Sequence, residues 1–220
     1  MPLKYRGMAI ALAVAALSAP CLAGTVATIV DYELSGDRNT GEYSLGWEFG
    51  LSAPVTVTAL GFWDYEGDGF HAASGGLTSV DVGIYDLSGN LLLSAEVLSS
   101  DPASNQLADG SVFRFHTLGT SLVLGAGDYV IAGANLGEGY LFQDPGDVTF
   151  DPAVQFLGNR VVASATLVYP SSVDCCISAA QPGWFGPNFQ IGSGVPEPGS
   201  ILLALAGLGL VGFLRRAWRP

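Results

Sequence analysis

The chain has 220 residues, of which 49% are apolar and 10% aromatic, enough to pack the core of one domain and incompatible with wholesale disorder. Thirty glycines and 12 prolines, against 8 lysines and arginines, describe strands joined by tight turns and argue against a helical bundle. Charge is laid out unevenly: Lys4 and Arg6 open the chain and Arg215, Arg216 and Arg219 close it, while from Gly24 to Val195 only Arg38, Arg114 and Arg160 stand against 19 carboxylates, a net −16. A surface of that sign repels phosphate backbones, so nucleic acid is not an expected partner, and cations are the more natural small ligands.

Residues 1–23 read as a signal peptide removed by signal peptidase. Lys4 and Arg6 precede an apolar run from Met8 to Leu17, then Pro20 and the small-residue site Cys21-Leu22-Ala23, with cleavage expected after Ala23. Lipidation at Cys21 is the alternative, but Pro20 stands where a lipoprotein box requires a small residue. Residues 24–192 are then the exported domain.

Its dominant pattern is period-two alternation in short runs broken by glycine-containing turns, which predicts strands. Val55 and Val57 alternate with Thr56 and Thr58; Val80, Val82 and Ile84 do the same within 79–86. Ser88-Gly89-Asn90 reads as a hairpin turn before Leu91, because glycine and asparagine accept positive φ. In 112–117, Phe113 and Phe115 share one face, and Arg114 and His116 take the opposite one, expected to look outward. Residues 128–135 and 160–169 complete the clearest strands, and nine to eleven are expected in all. The fold class is all-β: an antiparallel two-sheet β-sandwich, jelly-roll-like, with helices only at the two ends. No fixed-period repeat points to a propeller or solenoid.

Part of the middle also resembles an uncharacterised β-sandwich domain of bacterial surface proteins. The likeness rests on Trp47-Glu48-Phe49, the strand from Val55 to Trp63, Val80 to Tyr85, Gly89-Asn90-Leu91-Leu92 and Gly127-Asp128-Tyr129-Val130. It implies a fold and supplies no chemistry.

Four groups of residues are candidates for a site. Asp64, Glu66 and Asp68 alternate along a glycine-rich turn, a spacing that offers several hard oxygens to calcium, although the distal bidentate glutamate of an EF-hand is missing and a solvated acidic turn is the plainer reading. Asp144, Asp147 and Asp151 form a looser acidic group among prolines. Trp63, Tyr65 and Trp184, with Trp47, Phe70 and Phe185 nearby in the pattern, offer faces on which a sugar ring could stack, against the commoner use of such rings in a core. Cys175 and Cys176 suit a vicinal disulfide in an oxidising compartment, with links to another chain or a reduced pair as the alternatives. For enzymes the sequence offers little: His71 and His116 are the only histidines, no G-x-S-x-G is present, and a carboxylate-pair glycosidase leaves no mark in a chain so rich in acids.

The C-terminal end, 193–220, combines Val195-Pro196-Glu197-Pro198, an uncharged run to Leu214 and the cationic stop Arg215, Arg216 and Arg219. Ile201 to Leu214, as a helix at about 1.5 Å per residue, spans roughly 21 Å, short for a hydrocarbon core of about 30 Å, so a helix over about 200–214 anchors only marginally and suits a temporary role. Cations after it stay on the cytoplasmic side, leaving residues 24–195 outside. Gly207-Leu208-Gly209-Leu210-Val211-Gly212 satisfies G-x-G-x-x-G but lacks the strand and helix that give that motif meaning; small residues on a membrane helix explain it better. These three features, in this order, resemble the PEP-CTERM sorting signal of Gram-negative bacteria. The resemblance implies recognition of Pro196-Glu197-Pro198 by an exosortase, a membrane Cys-type transpeptidase, and removal of the tail. It further implies a transient inner-membrane anchor, then the cell surface or the extracellular matrix of an exopolysaccharide-forming biofilm. The expected role is structural or adhesive and non-enzymatic; calcium-assisted binding of exopolysaccharide is the alternative.

Overall fold

The computed structural model describes residues 25–32, 37–38, 41–71, 76–104, 110–140, 142–143, 147–172 and 183–192. The predicted signal peptide, Cys175, Cys176, Asp144 and the whole of 193–220 lie outside them. Among the described residues no helix is long and apolar enough to cross a membrane.

In chain order the strands are β1 (Thr25–Ala27), β2 (Ile29–Tyr32), β3 (Asp37–Arg38), β4 (Tyr43–Leu51), β5 (Val55–Asp64), β6 (Ser79–Asp86), β7 (Leu91–Leu98), β8 (Val112–Leu124), β9 (Gly127–Ala134), β10 (Gly139–Tyr140), β11 (Phe142–Gln143), β12 (Val148–Phe150), β13 (Val154–Ala163), β14 (Gly183–Trp184) and β15 (Pro187–Gly192). One 3-10 turn, Tyr65–Gly67, interrupts them. A four-stranded sheet runs β1-β15-β5-β8 and a five-stranded sheet runs β13-β4-β9-β6-β7. Every pairing is antiparallel, and the remaining six strands pair as short ribbons, β10 with β3, β11 with β14 and β12 with β2. The nine strands of the two main sheets form the expected sandwich, and with the ribbons the described residues hold fifteen strands, more than the nine to eleven expected, because runs of two to four residues are too short to show alternation.

Alternation decides which face is buried, since paired residues of neighbouring strands share a side. Trp47 pairs with Ile131 and Ile131 with Ile84, so β4, β9 and β6 present one continuous apolar face. Leu60 pairs with Phe189 and Phe62 with Pro187 on the facing sheet. The two layers meet closely: a Cβ on Gly133 of β9 would lie 2.5 Å from the Phe62 ring of β5. Trp47 stacks on Phe189 with ring centroids 6.2 Å apart, and its indole N–H donates to the Pro187 carbonyl at 2.9 Å. A buried indole needs such a partner, and here the partner lies on the other sheet.

The hairpin at 86–90 forms as expected. Gly89 takes φ 84°, and the Asp86 carboxylate accepts from Ser88 N at 2.8 Å, Asn90 N at 3.0 Å and Asn90 Nδ2 at 2.8 Å. The run at 160–169 requires correction. Strand β13 begins six residues earlier, at Val154, and ends at Ala163. The alternation continues past it because Leu167 and Tyr169 pack on Tyr85, Val130 and Ala132, on the face of the five-stranded sheet opposite the core. Ser44 Oγ donates to the Val168 carbonyl at 2.6 Å and fixes this crossing segment. Period-two patterning thus records burial on one side, which a strand inside a sheet and a segment laid across it both provide.

The last strand closes the fold. β15 lies between β1 and β5, with Thr25 opposite Gly192, so the first and last described strands are neighbours. Asn188 is fully buried there; its Oδ1 accepts from Thr28 Oγ1 at 2.7 Å, Ile29 N at 3.0 Å and Phe189 N at 2.8 Å, and its Nδ2 donates to Ile29 O at 3.1 Å.

Candidate functional site

Asp64, Glu66, Asp68, His71, Arg114 and His116 gather at one place, where β5 turns into 64–71, β8 begins, β7 leaves its sheet, and the 135–138 turn follows β9; Asp147 and Asp151 lie apart from it, on either side of β12. Asp64 is the last residue of β5, and β5 pairs with β8 so that Asp64 faces Val112 and Phe62 faces Arg114. The turn beyond it curls with positive φ at Glu66 (63°), Gly67 (71°) and Gly69 (101°). The two glycines accept that conformation without cost; the glutamate does not, and its N–H is held by Ser111 Oγ at 3.2 Å.

The three carboxylates of this turn do not converge. Asp64 is completely buried, whereas Glu66 and Asp68 are exposed. Asp64 Oδ2 accepts from Arg114 Nε at 2.5 Å, and both its oxygens accept from Gly69 N at 3.1 Å. Arg114 also donates to Gly67 O at 3.2 Å and Asp101 O at 3.3 Å. A carboxylate committed to a guanidinium is unavailable to a cation without losing that partner. Among the described residues no group of three histidine, cysteine or acidic side chains is placed to hold a metal ion.

Burial pushes the Asp64 carboxyl above the usual carboxylate range, against the hydrogen bond and charge of Arg114, which pull it down. The neighbouring contacts of the two histidines are more exposed. His116 Nδ1 lies 3.1 Å from Asp101 Oδ2, an oxygen that also accepts from Leu98 N at 2.8 Å. His71 Nε2 lies 3.2 Å from Asp68 Oδ1, and His71 N donates to the buried Glu138. Four chain segments are tied together by these links.

Arg114 also corrects an expectation. It sits on the face that carries Phe62, its partner across the ladder, and reaches the buried Asp64, whereas the side chain of His116 is 40% exposed beside Asp101, in keeping with its expected outward direction. The side chain of Arg114 is 15% exposed. The phenylalanines opposite them are buried too, at 3% for Phe113 and 4% for Phe115. Charge on a strand face therefore marked an internal ion pair here, and the one signal for it was an arginine in a segment nearly free of cations.

The stacking candidates divide. Trp63 is completely buried and offers no face to a sugar; it pairs across the ladder with Phe113, and Tyr65, half-buried, packs 5.4 Å from it. Trp184 is half-buried and meets Tyr140 edge-on at 4.6 Å. Trp47, Phe70 and Phe185 belong to the core. A cleft of about 250 Å³ among the described residues lies elsewhere, between the Gly50–Ser52 corner, Asp128 and Pro152–Gln155. It contains none of the candidate residues. Sequence reasoning missed Asn188 and the partnership of Arg114 with Asp64, since neither asparagine nor arginine announces a partner 159 or 50 residues away.

The sorting residues Val195, Pro196, Glu197, Pro198, Arg215, Arg216 and Arg219, and the thiols of Cys175 and Cys176, fall outside the described residues. No curated protein and no solved structure matches the chain. Residues 194–219 match the family model described as the PEP-CTERM protein-sorting motif, and the chain thus carries the C-terminal signal of an exported, exosortase-targeted protein.

Proposed function

We propose that the protein is a non-enzymatic component of the cell surface or extracellular matrix, delivered there by exosortase processing, with the β-sandwich acting structurally or adhesively. The sorting-motif match over 194–219 carries the reading. The use made of charge supports its non-enzymatic part. Arg114 is paired with Asp64 and Arg160 with Glu48, and His116 lies against Asp101, so these side chains cross-brace the fold.

Calcium-assisted glycan binding would have to work from Glu66, Asp68, Tyr65 and Trp184, without Trp63 or an Asp64 released from Arg114. A glycan panel that includes the producing organism's polymer, run with calcium and again with chelator on folded residues 24–194, separates the two accounts. Chelator-sensitive binding would replace the structural reading; no binding under either condition is the expected result. For the sorting half, Pro196→Ala with Pro198→Ala should hold the full-length chain in the membrane fraction, and unaltered release would contradict it.

A further inference from the structure

The last strand of the domain and the sorting motif are near neighbours in the chain. β15 ends at Gly192, and only Ser193 and Gly194 separate it from Val195. At no more than about 3.6 Å per residue, Pro196 lies within roughly 14 Å of the last paired residue. That residue is held from both sides: Gly192 pairs with Thr25 and with Thr56, and Ile191 with Val26 and with Val57. Further back, Phe189 and Asn188 are completely buried and Ile191 is 7% exposed. A processing enzyme that binds its substrate as an extended strand uses the main-chain N–H and C=O groups of residues flanking the motif. In the folded domain those groups, up to Gly192, are already committed to β1 and β5.

We propose that docking of β15 restrains tail removal, the two-residue spacer making the folded domain a slower exosortase substrate than a chain whose last strand has yet to dock or has frayed. This rests on the sorting reading above. Under it, processing takes place early, before β15 is zipped between β1 and β5, or through opening of the strand end. Spacer length and β15 stability then set the rate.

The test is pulse-labelling of the full chain in a Gram-negative host with an exosortase, following loss of the tail as a mass shift. Six Gly/Ser residues inserted between Gly194 and Val195 leave every described contact intact and should speed removal by about tenfold, the advantage of a segment that no longer waits for two register pairs to fray. Asn188→Ala, which loosens β15, should speed removal at the native spacing and add nothing once the spacer is lengthened. An insertion that leaves the rate unchanged or lowers it overturns the proposal, whatever the fate of the Asn188 variant. Pro196→Ala with Pro198→Ala, made in both spacings, separates the two ideas: removal that persists without the prolines refutes the sorting reading itself, whereas removal that stops without them but ignores spacer length refutes only the restraint.

Discussion

Arg114→Met is the sharpest perturbation of the braced end of the sandwich. The methionine keeps most of the apolar stem but deletes three hydrogen bonds, to Asp64 Oδ2 at 2.5 Å, Gly67 O at 3.2 Å and Asp101 O at 3.3 Å. Asp64, with no exposure of its own, is left with the Gly69 N–H. Removing one partner of a buried pair costs about 3–5 kcal/mol; because the Arg114 side chain is 15% exposed, the lower figure, about 3 kcal/mol, is expected. For a domain of this size that lowers Tm by roughly 6–12 °C. The loss should depend on pH in a definite direction. Burial raises the Asp64 carboxyl in the native protein while Arg114 opposes the rise, so deleting the arginine raises it further. A carboxyl raised on folding favours the fold below its unfolded value, and that contribution disappears as pH climbs through the folded value. Urea denaturation of residues 24–194 should therefore show a larger deficit against the native sequence near about pH 7 than near about pH 4. A deficit below about 1 kcal/mol, equal at both pH values, would mean that water reaches Asp64 and that the pair behaves as a surface one.

Three further outcomes follow from other parts of the molecule. Gly133→Ala places a Cβ 2.5 Å from the Phe62 ring between the sheets and should cost about 1–3 kcal/mol in the same denaturation assay; no cost would mean the layers are not in contact there. Trp47→Phe removes the donor to Pro187 O and should cost about 1–3 kcal/mol, because a buried acceptor loses its partner. Hydrogen bonds from Asn90, and then Ser88 and Gly89, hold the Asp86 carboxyl below its ordinary value. A depressed carboxyl stabilises the fold above its unfolded value and loses that effect as pH falls through the folded one. Asp86→Asn should accordingly be less stable than the native sequence at neutral pH, and the gap should close in acid; a gap that persists in acid would assign the effect to shape and not charge.

The strands were legible because a half-buried strand writes its burial into every second residue. Runs 55–59, 79–86 and 112–117 fall inside β5, β6 and β8, 128–135 overruns β9 by one residue, and the 88–90 turn is readable from glycine and asparagine alone. The pattern misled at 164–169, where Leu167 and Tyr169 are covered by crossing a sheet and not by joining one. It does not say which sheet face meets the other, so nothing in the alternation marks Arg114 and Trp63 as inward-facing, at 15% side-chain exposure and 0%. Side-chain pairing is the least local property of the fold. The commitment of Asp64 to Arg114 depends on the β5–β8 register, and no spacing within 64–68 encodes it. The sorting signal was readable for the opposite reason, since its prolines, apolar run and arginines act in sequence order along one contiguous stretch.

Export and processing leave their mark on the C-terminus. Intact mass of the native protein, recovered from the surface or matrix fraction of its own cells, measures this directly. Export followed by exosortase processing predicts a chain that lacks the apolar run and Arg215, Arg216 and Arg219, while a mature chain still ending at Pro220 would contradict it.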